Sequence, residues 1–576
     1  MHHITFEPER DMNEFIFGHL ATPQQRMEFV RQRQTGVKHN CQIEPRAPRA
    51  ADAPLLTATV GLTLPIDKVE CHILEPRPHI IPLAVSKTQW DPLNWRYMQY
   101  WEATLPPQPE GTTVRYQIWA YPTNEGEPIP ADGGATFSYW VGNPSPPDWV
   151  ASAVLYQLFP DRFDAGNGRP FHPTTSLNDI FGGTLRGMID RLDYIAAMGF
   201  TCIWLNPFFP DDTHHGYHAY DYFGVNPRLG TAEELRELLD KGHALGLRFV
   251  LDFVANHWGH KHATFQHALA HADSPYHDWY NWIDWPHDYH TFFGVMELPQ
   301  INTNQPEARA HLISAALHWC EFGFDGLRLD YALGPSHDFW TAFRAAVKQD
   351  RPHVWLFGEA VSTPGAILSY RGRFDGCLDF ILLQALRDTF AFGTMDVCRF
   401  ESFLRQHEAY FPTDYRLPSF LDNHDMNRFL WLTKGDVRRL KLAALCQFTL
   451  AGPPVVYYGT EVGVTQERDV VYPDGRHIME ESRQPMRWGE AQNEDLREFY
   501  RWLIGFRRAH PVLWEGERTA VHLHAPTQTY AYLRHNEQEQ IVVAFNLSEQ
   551  EQTFTAVGQT FHLAPLAGEV RVVGGE

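Results

Sequence analysis

Between residues 152 and 461 the chain alternates short apolar runs with amphipathic helical stretches, and this rhythm restricts its fold more than any other feature. SAVLYQLFP (152–160), FTCIWLNP (200–207), LRFVLDFVANH (247–257), FDGLRLDYA (324–332), HVWLFGEAV (353–361), RLPSFLDNHD (416–425) and PPVVYYGTE (453–461) read as buried strands. LRGMIDRLDYIAAMG (185–199), AEELRELLDKGHALG (232–246) and ARAHLISAALHWCEFG (308–323) read as the helices between them. Strands separated by helices build a parallel sheet. About eight such units over this length predict a closed (β/α)8 TIM barrel spanning 148–512. The stretch 258–302, rich in His and Trp, interrupts the rhythm and reads as an excursion domain between strand 3 and helix 3, walling the site. Before the barrel, residues 37–147 carry short β-rich runs separated by turns, an N-terminal β-sandwich pattern that ends in the joint NPSPPDW (143–149). Residues 513–576 return to β patterning, a C-terminal β-sandwich. Residues 1–36 form a polar arm with one helix, for which Thr22 is the expected N-cap and Pro23 the first helical residue.

Composition narrows the function. Lys and Arg number 48 against 70 Asp and Glu, a net charge of -22 over 576 residues. Such a surface repels nucleic acid and anionic membranes, and both are excluded as partners. A neutral ligand is indifferent to it. Seven cysteines without a CxxC pair give neither a disulfide framework nor a zinc ribbon, which suits the cytoplasm. The charged N-terminus lacks a signal peptide's apolar stretch, and no run of about 18 apolar residues predicts a membrane span.

Enzymes built on such barrels carry their chemistry at the C-terminal ends of the strands. Asp252, Asn256 and His257 end one predicted strand. Arg328 and Asp330 end the next, two residues apart and so on one side. Glu359 ends a third, and His424 and Asp425 a fourth. Singly, an aspartate at a strand end is usually a helix cap or a loop ion pair, and a lone histidine usually bonds backbone. Four strand ends carrying such groups together suit glycoside hydrolysis, which needs a nucleophile or base and an acid.

The runs D-F-V-A-N-H (252–257), G-F-D-G-L-R-L-D (323–330), G-E-A (358–360) and F-L-D-N-H-D (420–425) resemble, in order and spacing, the four motifs of glycoside hydrolase family 13, the α-amylase family. V-L-Y-Q-L-F-P-D-R-F (154–163), G-F-T-C-I-W-L-N-P (199–207), H-G-Y-H-A-Y-D-Y (215–222) and G-P-P-V-V-Y-Y-G-T-E (452–461) extend the match, which covers about 150–576. The upstream sandwich adds a looser similarity to the cyclomaltodextrinase, neopullulanase and maltogenic amylase subfamily, whose N-terminal module is a carbohydrate-binding module of family 34. The resemblance implies Asp330 as nucleophile, Glu359 as general acid and then base, and Asp425 as the group gripping the sugar's 2- and 3-hydroxyls. It implies Arg328 as the orienter of Asp330, His257 and His424 as hydrogen-bonding partners of the same sugar, Tyr217 as its stacking platform, and Asp252 as the anchor around Arg328. A covalent intermediate retains the anomeric configuration, with nucleophile and acid about 5–5.5 Å apart. The implied activity is retaining hydrolysis of α-1,4 bonds, with α-1,6 open, in malto-oligosaccharides or cyclodextrins. Two alternatives stay open: a transglycosylase on the same intermediate, and an inert amylase-fold binding protein, which would ordinarily lack part of the carboxylate triad kept here.

Departures from the family's pattern limit the substrate assignment. Leu333 and Gly334 stand where α-amylases have Lys-His and the neopullulanase group Asn-Glu. Tyr331 is bulkier than the usual residue after the nucleophile, and Gln300 replaces a lysine in L-P-Q-I-N (298–302). No cofactor is required by this reading. The subfamily's calcium loop is short here (D-A-G-N-G, 164–168), with Thr184 replacing a carboxylate, so calcium stays open and no metal-binding residue is assigned. His257, His260 and His262, and the i, i+4 pair His267 and His271, lack a third ligand and read as structural. Trp258, Trp279, Trp282 and Trp285 read mainly as core. Trp90, Trp95, Tyr97 and Trp101 read as either a glucan-binding surface or a homodimer interface in the N-terminal domain, with the interface preferred.

Overall fold

The computed structural model describes residues 23–123, 126–472 and 475–573. The arm contributes a helix, Pro23–Gln34; Thr22, its expected N-cap, lies outside the described residues.

Residues 36–140 build two antiparallel layers that share one long strand, His79–Asp91. The first part of this strand pairs with Ile66–Glu75, the rest with Arg96–Thr104, and the register slips between Val85 and Lys87. A bulge there bends the strand from one layer into the other. Leu56, Ala58, Cys71 and Ala120 fill the space between the layers with no exposed surface. Trp101 belongs to this core, 6% exposed, which corrects its grouping with the surface aromatics. Trp90, Trp95 and Tyr97 do lie outside, with Trp95 77% and Tyr97 69% exposed.

The barrel begins with parallel strands Leu155–Leu158, Cys202–Leu205, Arg248–Val254, Gly326–Asp330, Trp355–Gly358 and Gly376–Cys377. The sixth has only two residues, too few to show as an apolar run, and sequence patterning misses it. The seventh place, expected as a strand over 416–425, is an extended segment rather than a regular strand. Pro418 has no N–H to give a ladder, yet its carbonyl accepts from Asp379 N at 2.9 Å. Arg416 N donates to Asp375 O on one side at 2.9 Å, and Ser419 N to Pro453 O on the other at 2.9 Å. The eighth strand, Val455–Tyr457, pairs with the first and closes the ring. Gly376 is required by that closure, since a Cβ there would lie 1.5 Å from Arg416 O.

The helix expected over 185–199 is broken into Leu185–Asp190 and Leu192–Met198. Arg191, between them, turns its Nε to Asp164 at 2.6 Å and sets its guanidinium over the Trp488 ring. The sandwich docks on the barrel helix His337–Asp350, where Arg115 grips Asp338 with two hydrogen bonds of 3.0 and 2.9 Å. Beyond helix Val512–Glu515, a four-stranded sheet (Glu517–His524, Thr529–His535, Gln540–Asn546, Ala567–Val573) and a hairpin (Gln552–Ala556, Gln559–Leu563) enclose Val542, Ala544 and Phe561. No helix among the described residues is long and apolar enough to cross a membrane.

Candidate active site

Strand register assembles the centre of the site. In the parallel ladder Asp252 is the partner of Arg328, and Leu329 that of Gly358. Asp330 and Glu359, each one residue further on, therefore meet at the C-terminal rim. Arg328 is fully buried and joins all three carboxylates. Its Nη1 donates to Asp252 Oδ1 at 2.7 Å and to Asp330 Oδ1 at 2.8 Å, and its Nη2 lies 2.5 Å from Glu359 Oε1. Burial works against its charge, but the three carboxylates outweigh that and hold the proton more firmly than usual. Asp252 also accepts from Trp204 Nε1 at 3.0 Å and from the Tyr217 hydroxyl at 2.9 Å, so it fixes this framework from beneath.

His424 and Asp425 come from the loop after the seventh strand position. Gln157 Nε2 donates to His424 Nδ1 at 2.8 Å, which leaves the ring proton on Nε2. That nitrogen lies 2.9 Å from Asp425 Oδ2 and 2.6 Å from the Tyr217 hydroxyl oxygen. The Tyr217 ring stacks parallel on His424, with centroids 5.4 Å apart. Asp425 Oδ1 accepts from Arg483 Nη2 at 2.9 Å. Arg483 also donates through Nε to the His424 carbonyl at 2.8 Å and pairs with Glu480 at 2.9 Å.

The carboxyls differ in proton affinity. Burial pushes Glu359 above its ordinary value, against the pull of Arg328, and the nearby Asp425 charge adds to the rise. Burial also pushes Asp330 up, opposed by Arg328 and reinforced by Glu359. Burial would raise Asp425 too, but His424 and Arg483 outweigh it and hold this carboxyl below the usual range. Asp330 and Glu359 thus form a pair that favours keeping a proton, while Asp425 stays ionised. His257, pushed down to about 3 by burial, remains neutral.

A cavity of about 370 Å³ opens over this set, reaching Asp330, Asp425, Tyr217, His257 and Arg483. Its volume lies in the range of small-molecule sites, about 300–1,000 Å³. Among the described residues His257 Nε2 has no well-formed hydrogen-bond partner. Phe292 packs on the His257 ring with centroids 4.4 Å apart, and Phe293, 51% exposed, stands at the mouth. Both touch Tyr331, at 5.0 and 5.4 Å. Tyr331 has left-handed backbone geometry (φ 38°), and its N–H donates to Glu359 Oε2 at 3.0 Å. Glu359 is consequently drawn back from the cavity wall and is 2% exposed.

The structure therefore gathers Asp330, Glu359, Asp425, Tyr217, Asp252, His257, Arg328 and His424 at one barrel mouth. Sequence reading missed Arg483, Gln157, Trp204, Phe292 and Phe293. Gln157 and Trp204 occupy apolar strand runs, where an interior polar contact has no periodic signature. Arg483 lies in a loop with no patterning of its own.

The donor set near the first strand does not fit calcium. Asp164, the one carboxylate of the short loop, accepts from Gly166 N at 2.7 Å and from Arg191 Nε. Thr184 Oγ1 accepts from Gly187 N as a helix cap. A calcium ion takes six to eight oxygens, and a guanidinium already neutralises this carboxylate. Asn256 Oδ1 is engaged as well, by Gln300 Nε2 at 3.0 Å. Among the described residues no three His, Cys, Asp or Glu are grouped as metal ligands. His262 stacks on Trp258, and His267 bonds Ser274 at 2.8 Å.

Comparison with known proteins follows the same lines. Residues 157–562 match the model of the alpha amylase catalytic domain. Alpha-amylase 2 of Dictyoglomus thermophilum is 34% identical over 550 residues, covering 94% of each chain. A cyclomaltodextrinase of a Bacillus species is 34% identical, covering 76% of this chain and 81% of its own. Neopullulanase 2 of Thermoactinomyces vulgaris is 33% identical over 71% of each. Among solved structures, the cyclic α-maltosyl-(1→6)-maltose hydrolase of Arthrobacter globiformis, in complex with that cyclic sugar, superposes with a TM-score of 0.69 at 32% identity, covering 74% of this chain and all of its own.

Proposed function

The chain belongs to the α-amylase family of glycoside hydrolases, and from that premise we propose that it hydrolyses α-glucosidic bonds, mainly α-1,4, in malto-oligosaccharides and cyclodextrins with retention of configuration. The observation that carries the reading is the Arg328 guanidinium, which spans Asp330 and Glu359 on adjoining strand ends. One guanidinium bridging both carboxyls favours the short spacing of about 5–5.5 Å used by retaining enzymes over the wider gap that makes room for a water.

In the proposed first step Asp330 attacks the anomeric carbon, and Glu359 protonates the departing glycosidic oxygen. The C1–O bond breaks as the Asp330–C1 ester forms. In the second step Glu359, now ionised, takes a proton from water, and that water displaces Asp330. Asp425, kept anionic by Arg483 and His424, accepts hydrogen bonds from sugar hydroxyls. His257 Nε2 offers the same sugar another polar contact. Because Glu359 rests against Arg328 and Tyr331 N, it has to turn toward the cavity when substrate enters. Apo catalytic contacts commonly tighten only in the complex.

The reading requires no cofactor, since the short loop's charge is balanced by Arg191. All seven cysteines are unpaired, six of them buried, which supports a reducing cytoplasm and small imported substrates. An intracellular maltogenic amylase of Bacillus subtilis is 33% identical. The exposed Trp90, Trp95 and Tyr97 support a homodimer contact through the N-terminal domain, testable by sedentimentation of a W95A/Y97A variant.

Time-resolved product analysis on cyclodextrin, pullulan, maltohexaose and starch tests the reading. Ring opening of cyclodextrin faster than starch attack, with the α-anomer released first, is expected. Chains longer than the substrate appearing early would move the assignment to transfer. Failure on all four would overturn it.

A further inference from the structure

The residue after the proposed nucleophile departs from the family's pattern, and its larger side chain has a defined place. The Tyr331 ring meets Phe292 and Phe293 edge-on, with centroids 5.0 and 5.4 Å apart and interplanar angles of 78° and 66°. Those phenylalanines stand at the tip of the excursion-domain hairpin built from Thr291–Phe292 and Val295–Pro299. They also pack edge-on against each other, at 4.7 Å. Edge-to-face contact is a preferred geometry for such rings. Both phenylalanines line the catalytic cavity, so a substrate that fills it meets this cluster.

Two of these rings are carried by backbone that local preference disfavours. Phe293 and Gly294 form the hairpin turn, with φ of 49° and 78°. A turn with both central residues left-handed favours Asn-Gly or Asp-Gly, and Phe293 gives up that preference while presenting its ring to Tyr331. Tyr331 is left-handed as well, at φ 38°, an outlying conformation for a bulky residue. Such conformations persist only where the surroundings over-determine them, and they gather at active sites. Here the surroundings act from two sides. Ala332 N donates to Glu359 O at 2.9 Å, and Ala332 O accepts from Trp340 Nε1 at 2.9 Å and from the Tyr370 hydroxyl at 3.0 Å. The hairpin tip holds the ring. With Ala332 fixed, relaxation of φ at 331 turns the Asp330–Tyr331 peptide and swings its N–H away from Glu359 Oε2, to which it donates at 3.0 Å.

We propose that Tyr331 is a positioning residue for the general acid: clamped between the hairpin tip and the fixed Ala332, its amide keeps the Glu359 carboxyl retracted until substrate enters. The proposal rests on the glucan-hydrolase reading and adds the residue that restrains its acid. A donor on a carboxylate favours the ionised form. Burial pushes Glu359 up, and the Tyr331 amide is among the groups that pull it down. Loss of that amide therefore lets Glu359 keep its proton to higher pH. The other groups facing Glu359 are Arg328 and Asp330 on the adjoining strand, His424 and Asp425 from the loop after the seventh strand position, and the Tyr331 phenol.

The test compares full-length Y331A and Y331G through pH profiles of kcat/KM on maltoheptaose, which report the free enzyme. Both variants remove the phenol and open the site to water alike. Alanine is strained at φ 38° and relaxes, whereas glycine adopts that conformation readily. The basic limb of Y331A is expected about one pH unit above that of Y331G, the effect of one backbone donor on a carboxylate. Y331F keeps the ring and is expected to retain the wild-type limb. F293N installs a favoured turn residue, removes one ring contact and alters none of the charged groups, and it is expected to move the limb upward by less. In profiles of kcat, which report the complex, the difference between Y331A and Y331G is expected to vanish, because Glu359 has then left the amide. Coincident kcat/KM limbs for Y331A and Y331G, a displaced limb in Y331F, an unmoved limb in F293N, or a difference that persists in kcat overturns the proposal while leaving the hydrolase reading intact. A wild-type protein that does not cleave maltoheptaose overturns that reading, and this role with it.

Discussion

Replacing Arg483 with methionine tests the electrostatic argument at a residue that no sequence motif singles out. Arg483 is 6% exposed and donates to Asp425 Oδ1 and to the His424 carbonyl. Methionine keeps much of the volume and removes every donor. Breaking a buried ion pair by deleting one partner costs about 3–5 kcal/mol. Asp425 keeps His424 Nε2 at 2.9 Å, which places the loss at the lower end, about 3 kcal/mol. If that energy serves to hold Asp425 ionised and aimed during turnover, kcat/KM falls about a hundredfold at 1.36 kcal/mol per factor of ten. The sign of the pH effect follows from the depressed Asp425 pKa. A carboxyl held low in the folded state contributes stability above its unfolded pKa, and that contribution is lost as pH falls through the folded value. Without Arg483 the folded value rises, so the acid limbs of both activity and stability move to higher pH. The assay is kcat/KM on a short chromogenic α-maltooligoside across the acid range, paired with urea denaturation at each pH. A variant that loses activity uniformly, with both acid limbs unmoved, would refute the assignment of Arg483 as the group that keeps Asp425 charged.

Four further outcomes follow. Asp330→Asn should reduce turnover by several orders of magnitude while leaving thermal unfolding close to wild type, because its bonded partner Arg328 keeps Asp252 and Glu359; near-normal turnover would displace Asp330 as nucleophile. Glu359 has a raised pKa, so its acid form is lost as pH rises through that value; Glu359→Gln should remove the basic limb of the kcat/KM profile, and azide should rescue turnover of a substrate with an activated leaving group. Chelation should leave activity and unfolding temperature unchanged, since Arg191 already balances Asp164; a loss restored by calcium would contradict this. Gly334→Ala should destabilise and alter product pattern together, because the added Cβ would fall 1.9 Å from Asn256 Oδ1, which Gln300 holds in place; wild-type denaturation and products would show that this contact yields freely.

What the sequence disclosed followed physical range. Asp330, Arg328 and Asp252 were legible because strand periodicity and register act over a few residues, and a parallel ladder carries that order from strand to strand. The sixth strand was not, since Gly376–Cys377 is held by neighbours rather than by its own patterning. The break at Arg191 was equally hidden, because an amphipathic pattern runs through it and only the tertiary pull of Asp164 turns the backbone. Arg483 reaches its site across a long stretch of chain. Nothing in the local pattern of a loop records such a destination.

The site's charges explain why these distant residues matter. Asp252, Asp330, Glu359 and Asp425 bring four acids into one buried region, with two guanidiniums among them. Arg328 serves the first three, and Arg483 the last. Full ionisation would leave an excess of negative charge in a medium that solvates it poorly. Retaining one proton relieves part of that excess, and it is best kept where no cation is dedicated. Asp425, between His424 and Arg483, is held below the usual carboxylate range and does not keep it, and Asp252 is fixed by Trp204, Tyr217 and Arg328. The proton is left to Asp330 and Glu359, which share one guanidinium. Asp330 takes its Nη1 hydrogen bond, while Glu359 accepts from the Tyr331 amide beside the other nitrogen. In the proposed reaction, Glu359 turning away from Arg328 toward a substrate would give up its cation and keep the proton, leaving Asp330 the anionic partner of Arg328. Substrate entry would then separate one shared proton into the proposed acid and the proposed nucleophile, the division of labour that a two-carboxylate retaining reaction requires.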